Sequence, residues 1–63
     1  MLEQYHTIKL VKDLNPIIKA GMQGVILEIY DETNYEVEFV KEDGSNHVYQ
    51  GKGTFTICSD YFK

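Results

Sequence analysis

Tyr35-Glu36-Val37-Glu38-Phe39 alternates large apolar and acidic side chains without a break. Successive side chains of a β-strand point to opposite faces, so a strict period of two describes a strand with one face in a core and the other outside. Tyr35, Val37 and Phe39 are therefore expected inside, and Glu36 and Glu38 outside. One such strand cannot stand alone, because an isolated hairpin is marginal in water and further strands are needed to cover the apolar face.

The rest of the chain supplies them. Residues 6–11 mix β-branched and charged side chains, with Ile8 and Leu10 on one side, and read as a first strand. Asp13-Leu14-Asn15-Pro16 breaks it. A loop over 17–21 ends in Gly21, and Gly21 with Gly24 brackets Met22-Gln23 as an expected tight turn at positive φ. Residues 25–30 form the second strand, with Val25, Leu27 and Ile29 on one face and Ile26, Glu28 and Tyr30 on the other. A turn over 31–34 leads into the alternating strand. Asp43-Gly44 signals a type I′ hairpin, which makes 47–50 a fourth strand. After the break at Gly51-Lys52-Gly53, residues 54–58 form a fifth, with Phe55 and Ile57 inward. Ser59-Asp60-Tyr61-Phe62 then reads as a short closing 3-10 turn whose rings plug one end. Five short strands at this spacing predict an all-β small barrel spanning residues 1–63 as one domain.

At 63 residues a chain buries only roughly 60% of the surface its unfolded form exposes. A deep enclosed active site is not expected. Small domains often add disulfides or a structural metal, but this one has a single cysteine, Cys58, and two histidines, His6 and His47, far apart. The core must carry the fold, with self-association as an additional aid. A lone cysteine fits a reducing, cytoplasmic setting, where it is expected as a small buried hydrophobe. The sequence shows neither a secretory pattern nor a membrane-length apolar run.

Charge narrows the function classes. The formal net charge is −4 and all six basic residues are lysine, so the arginine fork that reads guanine and phosphate is absent and direct nucleic-acid binding is not expected. Glu28, Asp31, Glu32, Glu36, Glu38, Glu42 and Asp43 stand against Lys41 alone in the middle of the chain. That imbalance calls for a basic partner. The cysteine and histidines do not make a metal set, no nucleophile, base and orienter can be assembled, and Gly21 and Gly24 precede a strand where a phosphate loop would open a helix. Neither catalysis nor a cofactor is expected.

The constellation that remains is the outer face of strands two to four. If Ile29 opposes Tyr35 and Leu27 opposes Val37, then Glu28 meets Glu36 and Ile26 meets Glu38; the hairpin likewise sets Val40 by His47 and Glu38 by Tyr49. Like charges directly opposite are destabilising by up to about 1 kcal/mol. A face of Ile26, Glu28, Glu36, Glu38, Val40, His47 and Tyr49 is thus the expected partner-binding surface, with Lys9 or Lys12 as local counter-charges in a purely structural account.

Lys19-Ala20-Gly21-Met22-Gln23-Gly24-Val25-Ile26-Leu27-Glu28-Ile29-Tyr30 followed by Tyr35-Glu36-Val37-Glu38-Phe39 and the Asp43-Gly44 turn resembles a family of short bacterial proteins of unknown function. The resemblance covers nearly the whole chain. It implies an SH3-like barrel, similar in outline to the KOW motif of ribosome- and transcription-associated proteins. Met22 stands where aspartate is common in that family, and no catalytic residues come with the likeness. The expected function is an acidic, non-enzymatic protein-binding module, an inhibitor or immunity-type antidote covering a basic surface. The alternative is a KOW-like accessory module docking on ribosomal or transcription machinery.

Overall fold

The computed structural model describes residues 3–62. Four strands, β1 (Thr7–Lys9), β2 (Gln23–Ile29), β3 (Asn34–Glu38) and β4 (Thr54–Cys58), form one antiparallel sheet in the order β1-β2-β3-β4, and a 3-10 helix (Ser59–Tyr61) follows β4 directly. The alternation in β3 is obeyed: Tyr35 and Val37 are buried, with Phe39 beyond them, while Glu36 and Glu38 are only half-covered. Ile8, Leu10, Ile18, Ile26 and Ile57 complete the core, and Phe55, Tyr61 and Phe62 pack against it. Of the closing rings, Phe62 meets Tyr35 edge-on at a centroid distance of 5.3 Å.

β2 departs from a simple period of two. Ile26 is opposite Val37 and Val25 opposite Glu38, but beyond an irregularity Glu28 is opposite Glu36 and Ile29 opposite Tyr35. Leu27 is the extra residue of a β-bulge, and one extra residue exchanges the faces on either side of it. The backbone there is satisfied from the N-terminal segment: the Gln4 side-chain amide donates to the Leu27 carbonyl at 2.8 Å and the Tyr5 N–H to the Ile26 carbonyl at 2.6 Å. Tyr5 reaches this position at a φ of 68°.

Gly24 lies inside β2 and does not form the expected turn. Gly21, at a φ of +91°, does occupy a turn, with the Met22 N–H bonded to the Lys19 carbonyl. What Gly24 supplies is close approach: a Cβ there would stand 2.7 Å from Phe39 Cε1, 2.7 Å from Val37 Cγ1 and 2.9 Å from the Glu38 carbonyl oxygen. The backbone oxygen cannot step aside as a side-chain tip can. Gly24→Ala is expected to cost about 1–3 kcal/mol through overpacking, read as a lowered urea midpoint; an unchanged midpoint would contradict the close approach.

The segment 47–50 does not form a fourth strand. Two isolated bridges, Val40 with Asn46 and Tyr49 with Lys52, stand in its place. Two tight turns fall so close together that no ladder fits between them. The first differs from expectation: Gly44 has a φ of +91° but Asp43 stays at negative φ, and a Gly44 N–H to Lys41 carbonyl bond of 3.0 Å lies inside a Lys41 N–H to Ser45 carbonyl bond of 2.7 Å. This is the longer hairpin loop with glycine in the left-handed position. The type I′ pattern occurs instead at Gln50-Gly51, with φ of 53° and 79° inside reciprocal Tyr49–Lys52 backbone bonds.

The loop between β1 and β2 is tied down. Asn15 Oδ1 accepts from the N–H groups of Ile17 and Ile18, Asp13 Oδ1 accepts from Ala20 N–H, and Ile18 is fully buried. The sheet is open, and the Val11 N–H donating to the Tyr61 carbonyl at 2.7 Å links the end of β1 to the 3-10 helix. Among the described residues no helix is long and apolar enough to cross a membrane.

Candidate functional site

The outer face of the sheet is set by cross-strand rows. One row runs Thr7, Val25, Glu38, Thr54; the next runs Glu28, Glu36, Thr56. Glu28 and Glu36 are therefore direct neighbours, as the sequence predicts. Ile26 is not with them: it is fully buried opposite Val37, because the bulge at Leu27 turns it to the core. Val25 takes the outward place beside Glu38.

Glu36 is the most connected of these carboxylates. Thr54 Oγ1 donates to its Oε2 at 2.6 Å, Thr56 Oγ1 to its Oε1 at 2.6 Å, and the Tyr30 hydroxyl to Oε1 at 3.4 Å. Thr56 is the direct cross-strand partner and Thr54 the diagonal one, both within reach on a pleated surface. The two threonines hold the carboxylate by hydrogen bonds from the β4 side, a structural arrangement for the crowding with Glu28 that the register predicts. Sequence reading found the glutamates and missed the threonines, although Thr54-Phe55-Thr56 has the same period of two as Glu36-Val37-Glu38.

The remaining expected residues gather loosely around this pair. Glu38 Oε1 accepts from Asn46 Nδ2 at 3.3 Å. His47 is half-buried and its N–H donates to the Phe39 carbonyl at 2.8 Å. Val40 is exposed and bridges Asn46, one residue away from the expected His47 partner. Tyr49 and Glu36 share the lining of an open depression of about 630 Å³ with Leu14, Asn15, Gln50, Lys52 and Gly53 to Thr56. Cys58 is free and half-buried.

Ionic compensation is sparse. Among the described residues the one contact of salt-bridge length joins His6 and Glu3, at 3.7 Å and away from this face, and it is ionic only with the imidazole protonated. Lys12, expected as a local counter-charge, lies over the Tyr61 ring with its Nζ 4.7 Å from the centroid. The Tyr30 hydroxyl is pushed above its usual range by desolvation, reinforced by the Glu36 and Glu28 charges that disfavour a phenolate. Among the described residues no three histidine, cysteine or acidic side chains come together as a metal site.

Three carboxyls are held below their ordinary values. Burial pushes Glu36 up, but hydrogen bonds from Thr54, Thr56 and Tyr30, with the charge of Lys52, outweigh it. The Thr33 N–H, with the Asn34 side chain, lowers Asp31; the Ser45 hydroxyl and N–H lower Asp43. A carboxyl depressed in the folded state stabilises the fold above its unfolded value, and the contribution is lost as pH falls through the folded one. Stability is thus expected to hold down to the ordinary values, 4.5 for Glu36 and 3.8 for the two aspartates, and to fall below them. Glu36→Gln should remove part of that acid dependence and cost about 1 kcal/mol near neutral pH, given solvent screening. Thermal unfolding followed by circular dichroism across pH checks this; an acid slope identical in the variant would contradict the assignment.

A family model described as a domain of unknown function, DUF4926, matches residues 4–49, a span that covers β1 to β3 and the Gly44 turn and stops before β4. No curated protein and no solved structure matches the chain.

Proposed function

We propose that this chain, which belongs to the DUF4926 family, is a non-catalytic binding module whose outer sheet face covers a basic surface of a protein partner. The observation that carries this is the run of carboxylates from Glu28 to Asp43, none of which makes a direct salt bridge among the described residues, with only the more distant charges of Lys52 and Lys41 acting on Glu36 and Asp43. A negative face of this kind steers and orients a positive one and gains when a partner brings counter-charges to its carboxylates. Glu28, Glu36 and Glu38 form its centre, with Val25, Val40, His47 and Tyr49 around them. Ile26 belongs to the core.

The fold reading that goes with it is an SH3-like barrel. The bend at the Leu27 bulge, the 3-10 helix after β4 and the Val11–Tyr61 hydrogen bond support that outline. An inhibitor or immunity-type antidote in the cytoplasm is the role such a face fits, since proteins that act on nucleic acid present basic surfaces for an acidic chain to cover.

The test is capture of partners by the tagged chain at low and moderate salt, with mass spectrometry of what is retained. The reading predicts one basic protein held at low salt and released at higher salt. Retention of ribosomal or polymerase components would favour a KOW-like accessory module, and salt-independent retention of an acidic protein would contradict both.

A further inference from the structure

The two edges of the sheet offer different things to a partner. On β1, Ile26 N–H donates to the His6 carbonyl and Leu10 N–H to the Met22 carbonyl, each at 2.9 Å. Backbone groups alternate sides along a strand, so Thr7 and Lys9 turn outward there. That edge is three residues long, carries Lys9, and is followed by Val11, whose N–H is already bonded to Tyr61. Charge and shortness are the usual protections of a strand edge.

β4 has neither protection. It is five residues long, Thr54-Phe55-Thr56-Ile57-Cys58, with no charge and no proline. Ser59 N–H donates to the Thr33 carbonyl at 2.8 Å on the β3 side. By the same alternation Phe55 and Ile57 turn their backbone groups to β3, and Thr54 and Thr56 turn theirs away from it. Among the described residues no hydrogen-bond partner meets the Thr54 and Thr56 backbone groups on that side.

The open depression of about 630 Å³ lies along this edge. Its lining includes Thr54, Phe55 and Thr56 of this strand together with Glu36 of β3. Leu14 and the turn at Tyr49 to Lys52 wall it.

We infer that the free edge of β4 takes up an extended, lysine- or arginine-bearing segment of the partner by strand addition. This rests on the basic-partner reading above and specifies how the segment is held. Backbone bonds to Thr54 and Thr56 give it register. Its outer-face side chains then stand roughly 10 Å, two strand spacings, from the β3 backbone. A long basic side chain crosses that gap above the short threonines and reaches the Glu36 carboxylate. Lys52, on the wall of the same groove, opposes such a segment, so Lys52→Ala strengthens its binding.

The probe is a short synthetic peptide alternating lysine with threonine, followed by fluorescence anisotropy at low salt. Two further versions are N-methylated on one or the other alternating set of residues. The version blocked on the edge that faces β4 is expected to bind about tenfold or more weakly, while the other binds like the parent and the Thr56 amide gains protection from hydrogen exchange. Equal binding of both versions, absence of peptide binding, or a chain that is already dimeric with its Thr56 amide protected would overturn the inference. Polylysine is titrated in parallel. If polylysine binds in a salt-sensitive way while the peptide does not use the edge, strand addition fails and the acidic-face reading stands; if neither binds, both fail.

Discussion

Phe39→Ala is expected to remove a large share of the stability of the fold. Phe39 is fully buried, its ring lies 6.0 Å from that of Phe55, and it fills the space that the missing Cβ of Gly24 leaves open. Removing so large a buried ring costs about 3–5 kcal/mol in lost transfer energy and residual cavity. A 63-residue chain has a total stability of roughly 3–9 kcal/mol to set against it. Neighbours cannot collapse into the hole, because Val37 and Ile26 are held in register by the sheet and Ile18 by the Asn15 hydrogen bonds. Urea unfolding of the variant should show a midpoint lowered by a loss of about 3–5 kcal/mol, with the native baseline shortened or gone; a loss below about 1 kcal/mol would mean that Phe39 is not the centre of the core.

Glu28→Lys combined with Glu38→Lys is expected to abolish binding of the basic partner, by about a hundredfold or more, while the fold persists. These two positions report on the face better than Glu36, whose carboxylate is also engaged by Thr54 and Thr56. The double reversal takes the formal charge from −4 to zero. Glu3→Lys with Asp60→Lys makes the same change elsewhere and should leave affinity within a few-fold. Equal losses in the two variants would show that net charge, and not this face, controls association. Both are surface changes, so thermal stability should move by no more than about 0.5–1 kcal/mol.

How far the sequence foretells such a molecule depends on whether local or non-local forces decide each element. β3 was legible because its alternation is strict, and β4 with the closing 3-10 turn because glycines precede it and aromatic residues follow. Half of the β2 register was legible as well: Glu28 opposite Glu36 and Ile29 opposite Tyr35. The other half was not. Val25-Ile26-Leu27 is apolar throughout, so the pattern carries no mark of a bulge, and the contact that meets it is tertiary: the Gln4 side chain bonds the Leu27 carbonyl. That single residue moved Ile26 from the expected docking face to the core.

Turns show the same division. Asp43-Gly44 and Gln50-Gly51 both offer glycine after a polar residue, and the general preference for Asp-Gly pointed to the wrong one as type I′. Asp43 instead holds Ser45 through its side chain, with the Ser45 N–H at 2.9 Å and hydroxyl at 2.6 Å. Gly24 looked like a turn glycine because Gly21 is one; its packing role depends on Phe39, fifteen residues away in the chain. The acidic character of the candidate face was plain from composition, whereas the threonine clasp on Glu36 required knowing that β4 lies beside β3.

The most direct test of the central claim is residue-resolved: amide chemical shifts of the labelled chain followed while polylysine is titrated in at low salt. The account predicts shifts centred on Glu28, Glu36, Glu38, Thr54 and Thr56 that vanish as salt is raised. Shifts confined to the tied loop over residues 13–21, or none on the sheet, would contradict it.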